Sequence, residues 1–345
     1  MPYFTRYTHI STGTVLVMIL ISVAIKGQSQ GIEDGSKQHE ERRFSVEWIR
    51  NWPDTYKPKK SRKFRKQFNA IVFGIHPAVL TTPVSIAAID TSNFLVLDQA
   101  NRGIFIIKDD VGEIPHPFTT TSFDLSSLVG ICQGPGSTIL FTDSHADKVY
   151  QYLPKKKSIK VLNDSLGLEQ PTGIAYSSVN QEIWILETKA HRITVLDAKG
   201  NFLKHLGSRG INPGEFNYPT HLWIDRTGKI FVNDAMNFRI QILGPGGEFI
   251  SSFGEAGDAT GYLARPKGIA TDSYGNIYIV DALFHVVQVF DSNGTFLYKF
   301  GSQGRGNSEF WMPSGIFIDQ MDYIYIADTY NSRIQVFKLT QTASK

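Results

Sequence analysis

One pattern recurs six times between Pro83 and the C-terminus, and it constrains the fold more than any other feature of the chain. Its clearest copies are PTHLWIDRTGKIFVNDAMNFRIQILGPGGEFISSFG from Pro219, PKGIATDSYGNIYIVDALFHVVQVFDSNGTFLYKFG from Pro266 and PSGIFIDQMDYIYIADTYNSRIQVF from Pro313. Earlier copies begin at Pro83, near Leu128 without the proline, and at Pro171. Each copy reads as four short strands. An apolar stretch follows the proline (GIAY at Gly173, GIAT at Gly268, GIFI at Gly315) and ends at an Asp and a tight turn such as Asp272 to Gly275. A second strand, as in Ile277 to Val280, ends in Asp98, Asp143, Glu187, Asp234, Asp281 or Asp328. The third strand is RIQIL from Arg239 or RIQVF from Arg333, and the fourth is FLKHL, FISSF or FLYKF from Phe202, Phe249 and Phe296. Gly-rich connections such as GSRGINPGEFNYP then lead to the next copy.

Successive copies start about 45, 43, 48, 47 and 47 residues apart, the period of a four-stranded propeller blade. An antiparallel array of this size leaves open edges, and circular closure removes them. The expected fold is therefore all-β: a six-bladed β-propeller of four-stranded antiparallel blades. The sixth copy stops after its third strand, so an N-terminal strand must close the ring. Arg43–Trp52 alternates apolar and polar residues and is the preferred closing strand, with Phe68 to Gly74 as runner-up. The unit P-x-G-I/L…D-x-x-G-x-I-Y-V-x-D…N-x-R-I-x-V-F resembles the NHL repeat, over residues 83–339. The segment before the first copy is also similar to a group of bacterial NHL proteins of unknown function.

Residues 1–27 carry Arg6 and then the apolar run Thr14 to Ile25, the length of a signal-peptide core and short of a comfortable membrane span. Ser22-Val23-Ala24 offers a small-x-small cleavage site, while a retained anchor or a buried helix are the alternatives. Export to a periplasmic or extracellular location follows from the first two readings. Residues 28–42 read as a polar linker, 43–82 as the closing strand with a basic amphipathic segment, 83–340 as the propeller and 341–345 as a tail.

Charge is unevenly distributed. Lys37 to Lys66 holds 11 basic and 4 acidic residues, whereas Gln67 to Lys345 holds 22 basic and 26 acidic. In the basic stretch, Lys59, Lys60, Arg62 and Lys63 precede Phe64 and Phe68, which share one helical face with Ile71 and Val72. Such a stretch contacts an anionic membrane surface, packs on the propeller side with solvated lysines, or docks an acidic partner. The acidic body argues against nucleic acid as a partner. Cys132 is the only cysteine, so no internal disulfide and no Cys-based metal centre can form.

No Ser-His-Asp spacing, phosphate loop or nucleotide fingerprint stands out. The expected function is recognition: a monomeric, non-enzymatic module binding a protein, peptide or glycan on the face that carries the loops between strands two and three. His191, His221, Phe238, Arg239, His285, Tyr330 and Arg333 are the binding candidates, although the recurrence of Asp-x-x-Asn-x-Arg marks the arginines as structural. No cofactor is expected. The alternative is a metal-dependent lyase or hydrolase, because GEFNYPTHLWID and DTYNSRIQVF resemble blades of the peptidyl-hydroxyglycine lyases, propellers that hold zinc with histidines. On that reading zinc or calcium would bind in the channel. His221 is the one residue near a ligand position, since Ser85, Thr172, Lys267 and Ser314 occupy the others.

Overall fold

The computed structural model describes residues 43–53, 79–88, 93–108, 125–156, 158–162 and 164–342. Strand β1 (Arg43–Trp52) comes first. Blade one holds β2 (Pro83–Ala88), β3 (Asn93–Asp98) and β4 (Gly103–Lys108). Blade two is β5 (Leu128–Gln133), β6 (Ile139–Asp143), β7 (Lys148–Leu153) and β8 (Ser158–Val161), and blade three is β9 (Pro171–Ser177), β10 (Glu182–Glu187), β11 (Arg192–Asp197) and β12 (Phe202–Leu206). Blade four is β13 (His221–Ile224), β14 (Ile230–Asp234), β15 (Arg239–Leu243) and β16 (Phe249–Phe253). Blade five is β17 (Pro266–Thr271), β18 (Ile277–Asp281), β19 (Val286–Phe290) and β20 (Phe296–Phe300), and blade six holds β21 (Ile316–Ile318), β22 (Tyr323–Asp328) and β23 (Arg333–Thr342). Every pairing between these strands is antiparallel.

The six sheets form the expected six-bladed β-propeller. Five have four strands and blade one shows three among the described residues. The missing fourth strand of blade six is β1, which pairs with β23 from Arg43↔Thr342 to Trp52↔Ile334, so Arg43–Trp52 closes the ring. Trp52 is buried and meets Phe94 of blade one edge to face at 6.3 Å, so the closing strand also joins blade six to blade one. The runner-up, residues 68–74, lies outside the described residues, as do the apolar run at 14–25 and the basic segment with Lys59, Lys60, Arg62, Lys63, Phe64 and Phe68. Among the described residues no helix is long and apolar enough to cross a membrane.

Strands two and three of each blade are almost wholly buried because their side chains meet a neighbouring blade on both sheet faces. The innermost strands also approach one another closely. A Cβ on Gly268 would lie 2.7 Å from the Ser314 carbonyl oxygen, and one on Gly173 would lie 2.8 Å from the Leu222 nitrogen. Only the absence of a side chain permits that approach, which explains the P-x-G-I pattern. At four of the six blade junctions, side-chain hydrogen bonds then staple one blade to the next: Thr142 Oγ1 donates to the Thr172 carbonyl (2.7 Å), Thr188 Oγ1 to Pro219 (2.7 Å), Asn233 Nδ2 to Pro266 (2.7 Å) and Thr329 Oγ1 to Pro83 (2.9 Å).

Candidate functional site

The acid that ends each second strand is fully buried in all six blades. Asp328 shows why. Its Oδ1 accepts the Trp311 N–H (2.8 Å), and its Oδ2 accepts Arg333 Nε (2.7 Å), Asn331 Nδ2 (2.9 Å) and Gln335 Nε2 (3.1 Å). Asp234 holds Arg239, Asn237, Gln241 and the Asn217 N–H in the same way. Arg239 directs its remaining bonds to the Asn212 and Glu215 carbonyls, and Arg333 to those of Arg305, Gly306 and Glu309. Both arginines therefore tie the incoming inter-blade loop to its blade, and their charge is matched inside the fold.

Four residues after each acid the backbone is left-handed in every blade, at Arg102, Asp147, His191, Phe238, His285 and Ser332. The side chain there reaches the loop that opens the next blade. His191 Nδ1 accepts the Tyr218 N–H at 3.0 Å, His285 Nδ1 accepts that of Met312 at 3.0 Å, and Asp147 Oδ1 accepts that of Gln170 at 2.7 Å. Tyr218, Met312 and Gln170 are themselves left-handed, a conformation that turns the amide toward the acceptor. The two equivalent histidines thus act as latches between blades and must present an unprotonated Nδ1. Burial, followed by the nearby Arg209, holds the His191 pKa below the ordinary histidine value. Phe238 occupies the same latch position and is half-buried.

Of the seven sequence candidates, Tyr330 alone presents a large exposed surface on the loop face (59% exposed). It packs against Trp311 with ring centroids 6.1 Å apart, and the Arg305 guanidinium lies 5.1 Å from the Trp311 ring. Tyr330 stands two residues after the acid. The equivalent position carries Ala100, His145 and Lys189 in blades one to three, then Met236 and Leu283 in blades four and five, each more than half exposed. Ile211 and Tyr218 extend this apolar arc along the loop that enters blade four. Sequence reasoning missed Met236, Leu283 and Trp311. Comparing one repeat column across the six copies would have found the first two, since that column turns from small or polar to apolar after blade three.

His221 stands apart from the other candidates, in the wall of a central cavity of about 770 Å³. The cavity begins at the level of Ser85, Gly130, Gly173 and His221 and runs to the turns between strands one and two, on the opposite face from the loops considered above. Burial, with the Lys267 ammonium as second cause, brings the His221 pKa down to about 4, so the imidazole is neutral at pH 7. Burial likewise pushes the Cys132 thiol in the cavity wall up, which leaves it a poor nucleophile at neutral pH. Among the described residues, no three His, Cys, Asp or Glu side chains are grouped so as to hold a metal ion.

Closed sheets, repeated hubs and a central cavity define a propeller of the binding or enzymatic kind, and comparison with known proteins narrows the class. The family model described as 6-bladed beta-propeller matches residues 161–252 and 263–344, half of the chain, and the chain belongs to that family. No curated protein matches it. Among solved structures it is similar to an auxiliary nutrient binding protein from Bacteroides thetaiotaomicron (14% identity, 76% of this chain and 70% of that one, TM-score 0.61). It is also similar to streptogramin B lyase (15% identity, 76% and 95% covered, TM-score 0.57). A third likeness is to a gluconolactonase from Xanthomonas campestris (12% identity, 87% and 90% covered, TM-score 0.59). At these identities the likeness is one of fold, and that fold hosts both binding proteins and enzymes.

Proposed function

We propose that this chain is an exported, NHL-type recognition module that binds a protein partner through the loop face of blades four to six. The observation that carries the reading is the exposed arc of Met236, Leu283, Tyr330 and Trp311, with Arg305 beside it. Aromatic residues, Met and Arg are enriched where protein interfaces concentrate their energy. Beside the two rings on which a sugar could stack, the surface exposes the aliphatic side chains of Leu283, Met236 and Ile211, which suit a protein surface better than a glycan. The arc is also held in place: the Tyr330 N–H donates to the Trp311 carbonyl (3.1 Å) and the Met236 N–H to that of Asn217 (3.0 Å), so little ordering cost remains on binding. Support for export comes from the apolar run at Thr14 to Ile25 and from the fold shared with an auxiliary nutrient binding protein.

The test begins with partners captured from the native membrane fraction and then measures their affinity for purified variants. Tyr330→Ala and Leu283→Ser should each weaken binding by about 1–3 kcal/mol, while Asn293→Ala on the opposite face changes nothing. Equal loss from the opposite face would place recognition elsewhere.

A further inference from the structure

The central cavity departs from the repeat in one half only. Two residues after the glycine position, the inner strands carry Ala87, Cys132, Ala175 and Ala270 in blades one, two, three and five, but Trp223 in blade four and Phe317 in blade six. These two rings meet edge to face, centroids 6.0 Å apart, across the small residues of blade five, and Trp223 Nε1 donates to Thr271 Oγ1 at 2.9 Å. The aromatic pair narrows the side of blades four to six, while residues of all six innermost strands line the space that remains. At the mouth, Arg226 reaches across in the same direction and donates from one terminal nitrogen to the Asp319 carbonyl at 3.1 Å. Among the described residues that is its one hydrogen bond, so the other donors of its five N–H fork are available at the cavity mouth. The neighbouring carboxylates are engaged by their own turns: Asp225 Oδ1 accepts the Thr227 and Lys229 N–H groups, and Asp319 Oδ1 accepts those of Met321 and Tyr323. Asp319 Oδ2 takes the Tyr325 hydroxyl at 3.3 Å. Lined by apolar strand residues along its wall and by a comparable share of polar groups towards its mouth, the space has the size of a small-molecule pocket for a ligand with one apolar and one polar end.

We infer that this cavity is a second site, separate from the loop face, which admits a small aromatic or apolar ligand carrying one anionic group. The body of the ligand lies against Trp223 and Phe317, and its carboxylate or sulfonate pairs with the Arg226 fork at the mouth. A neutral His221 closes the inner end, where it can donate or accept one hydrogen bond.

Two probes of the same shape separate the parts of this inference. 8-Anilino-1-naphthalenesulfonate carries the anion, and N-phenyl-1-naphthylamine lacks it. Titrated into the folded full chain and read by probe fluorescence, both should bind saturably at one site per chain. Arg226→Gln should weaken the sulfonate probe at least tenfold and leave the neutral probe within twofold. Ser178→Trp, an exposed turn residue at the mouth, should weaken both, whereas Leu283→Ser and Tyr330→Ala should weaken neither. Far-UV circular dichroism and urea midpoints confirm that each variant is folded. The inference is overturned by any of three results: absence of saturable binding, equal response of both probes to Arg226→Gln, or loss of binding in the loop-face variants with none in Ser178→Trp. Failure of the loop-face reading is recognised separately, by partner binding that survives Leu283→Ser.

Discussion

Asp328→Ala should be among the most damaging single substitutions in the chain. The carboxylate is fully buried and accepts four hydrogen bonds, from Trp311, Asn331, Arg333 and Gln335. Truncation leaves the Arg333 guanidinium, only slightly exposed, without its anion, and removing one partner of such a pair costs about 3–5 kcal/mol. Asp328→Asn keeps the shape, yet its NH2 must face at least one of the donors. The loss of charge assistance and the mismatched donor together cost about 1.5–3 kcal/mol. With a urea m-value of about 3 kcal/mol/M, the alanine variant shifts the unfolding midpoint by between about 1 and 2 M and the asparagine variant by about half that. Far-UV circular dichroism follows the loss of sheet. Combining Asp328→Ala with Arg333→Ala should destabilise less than the sum of the two, because the second change removes the stranded charge. Additive losses, or an Asp328→Ala midpoint within about 0.2 M of wild type, would refute the reading of these acids as hubs.

Further outcomes follow from the same structure. Trp52→Ala should cost about 3–5 kcal/mol in equilibrium unfolding, because the indole is buried between blades six and one, while Ile49→Ala on the exposed part of β1 stays within about 0.5 kcal/mol of wild type. Gly268→Ala should lower the thermal midpoint, since its methyl carbon would stand 2.7 Å from the Ser314 carbonyl oxygen. His221 is held neutral at a pKa of about 4 against an ordinary 6.5, so the unfolded chain takes up the proton first. Its contribution, at most about 3 kcal/mol, is fully present above pH 6.5, is lost as the pH falls towards 4 and is constant below that. His221→Gln should flatten the acid limb of a stability-against-pH curve in that window. His285→Ala should destabilise more than His285→Asn, which retains an acceptor for the Met312 amide.

The strands were legible in the sequence because every blade repeats its apolar spacing and its acid, and β1 was legible because Arg43–Trp52 alternates where the last blade lacks a strand. The roles of the two equivalent histidines were not. Their recurrence was visible, but the amides they accept belong to the next blade, 27 positions away, and the left-handed turns that aim those amides leave no compositional mark at Tyr218 or Met312. The apolar arc was half legible: Tyr330 stood out as an aromatic residue, whereas Met236 and Leu283 look like ordinary repeat variation until their exposure is known. The cavity could not be read at all, because it is lined from six strands whose channel positions come together only when the ring closes.

That closure has a kinetic side. The Ser45 and Thr340 hydroxyls, bonded at 2.6 Å, are 295 positions apart, so the last blade is assembled from the two ends of the described chain. Contacts of such sequence separation form slowly, because the entropy of closing the intervening chain is lost before any pairing repays it. A chain delivered from its N-terminus presents β1 first and must hold that Trp-bearing strand unpaired until β23 arrives. During this interval both sheet edges are open to strands of other molecules. The pairing of β1 with β23 is therefore the step whose delay leaves the chain most exposed to association with other molecules.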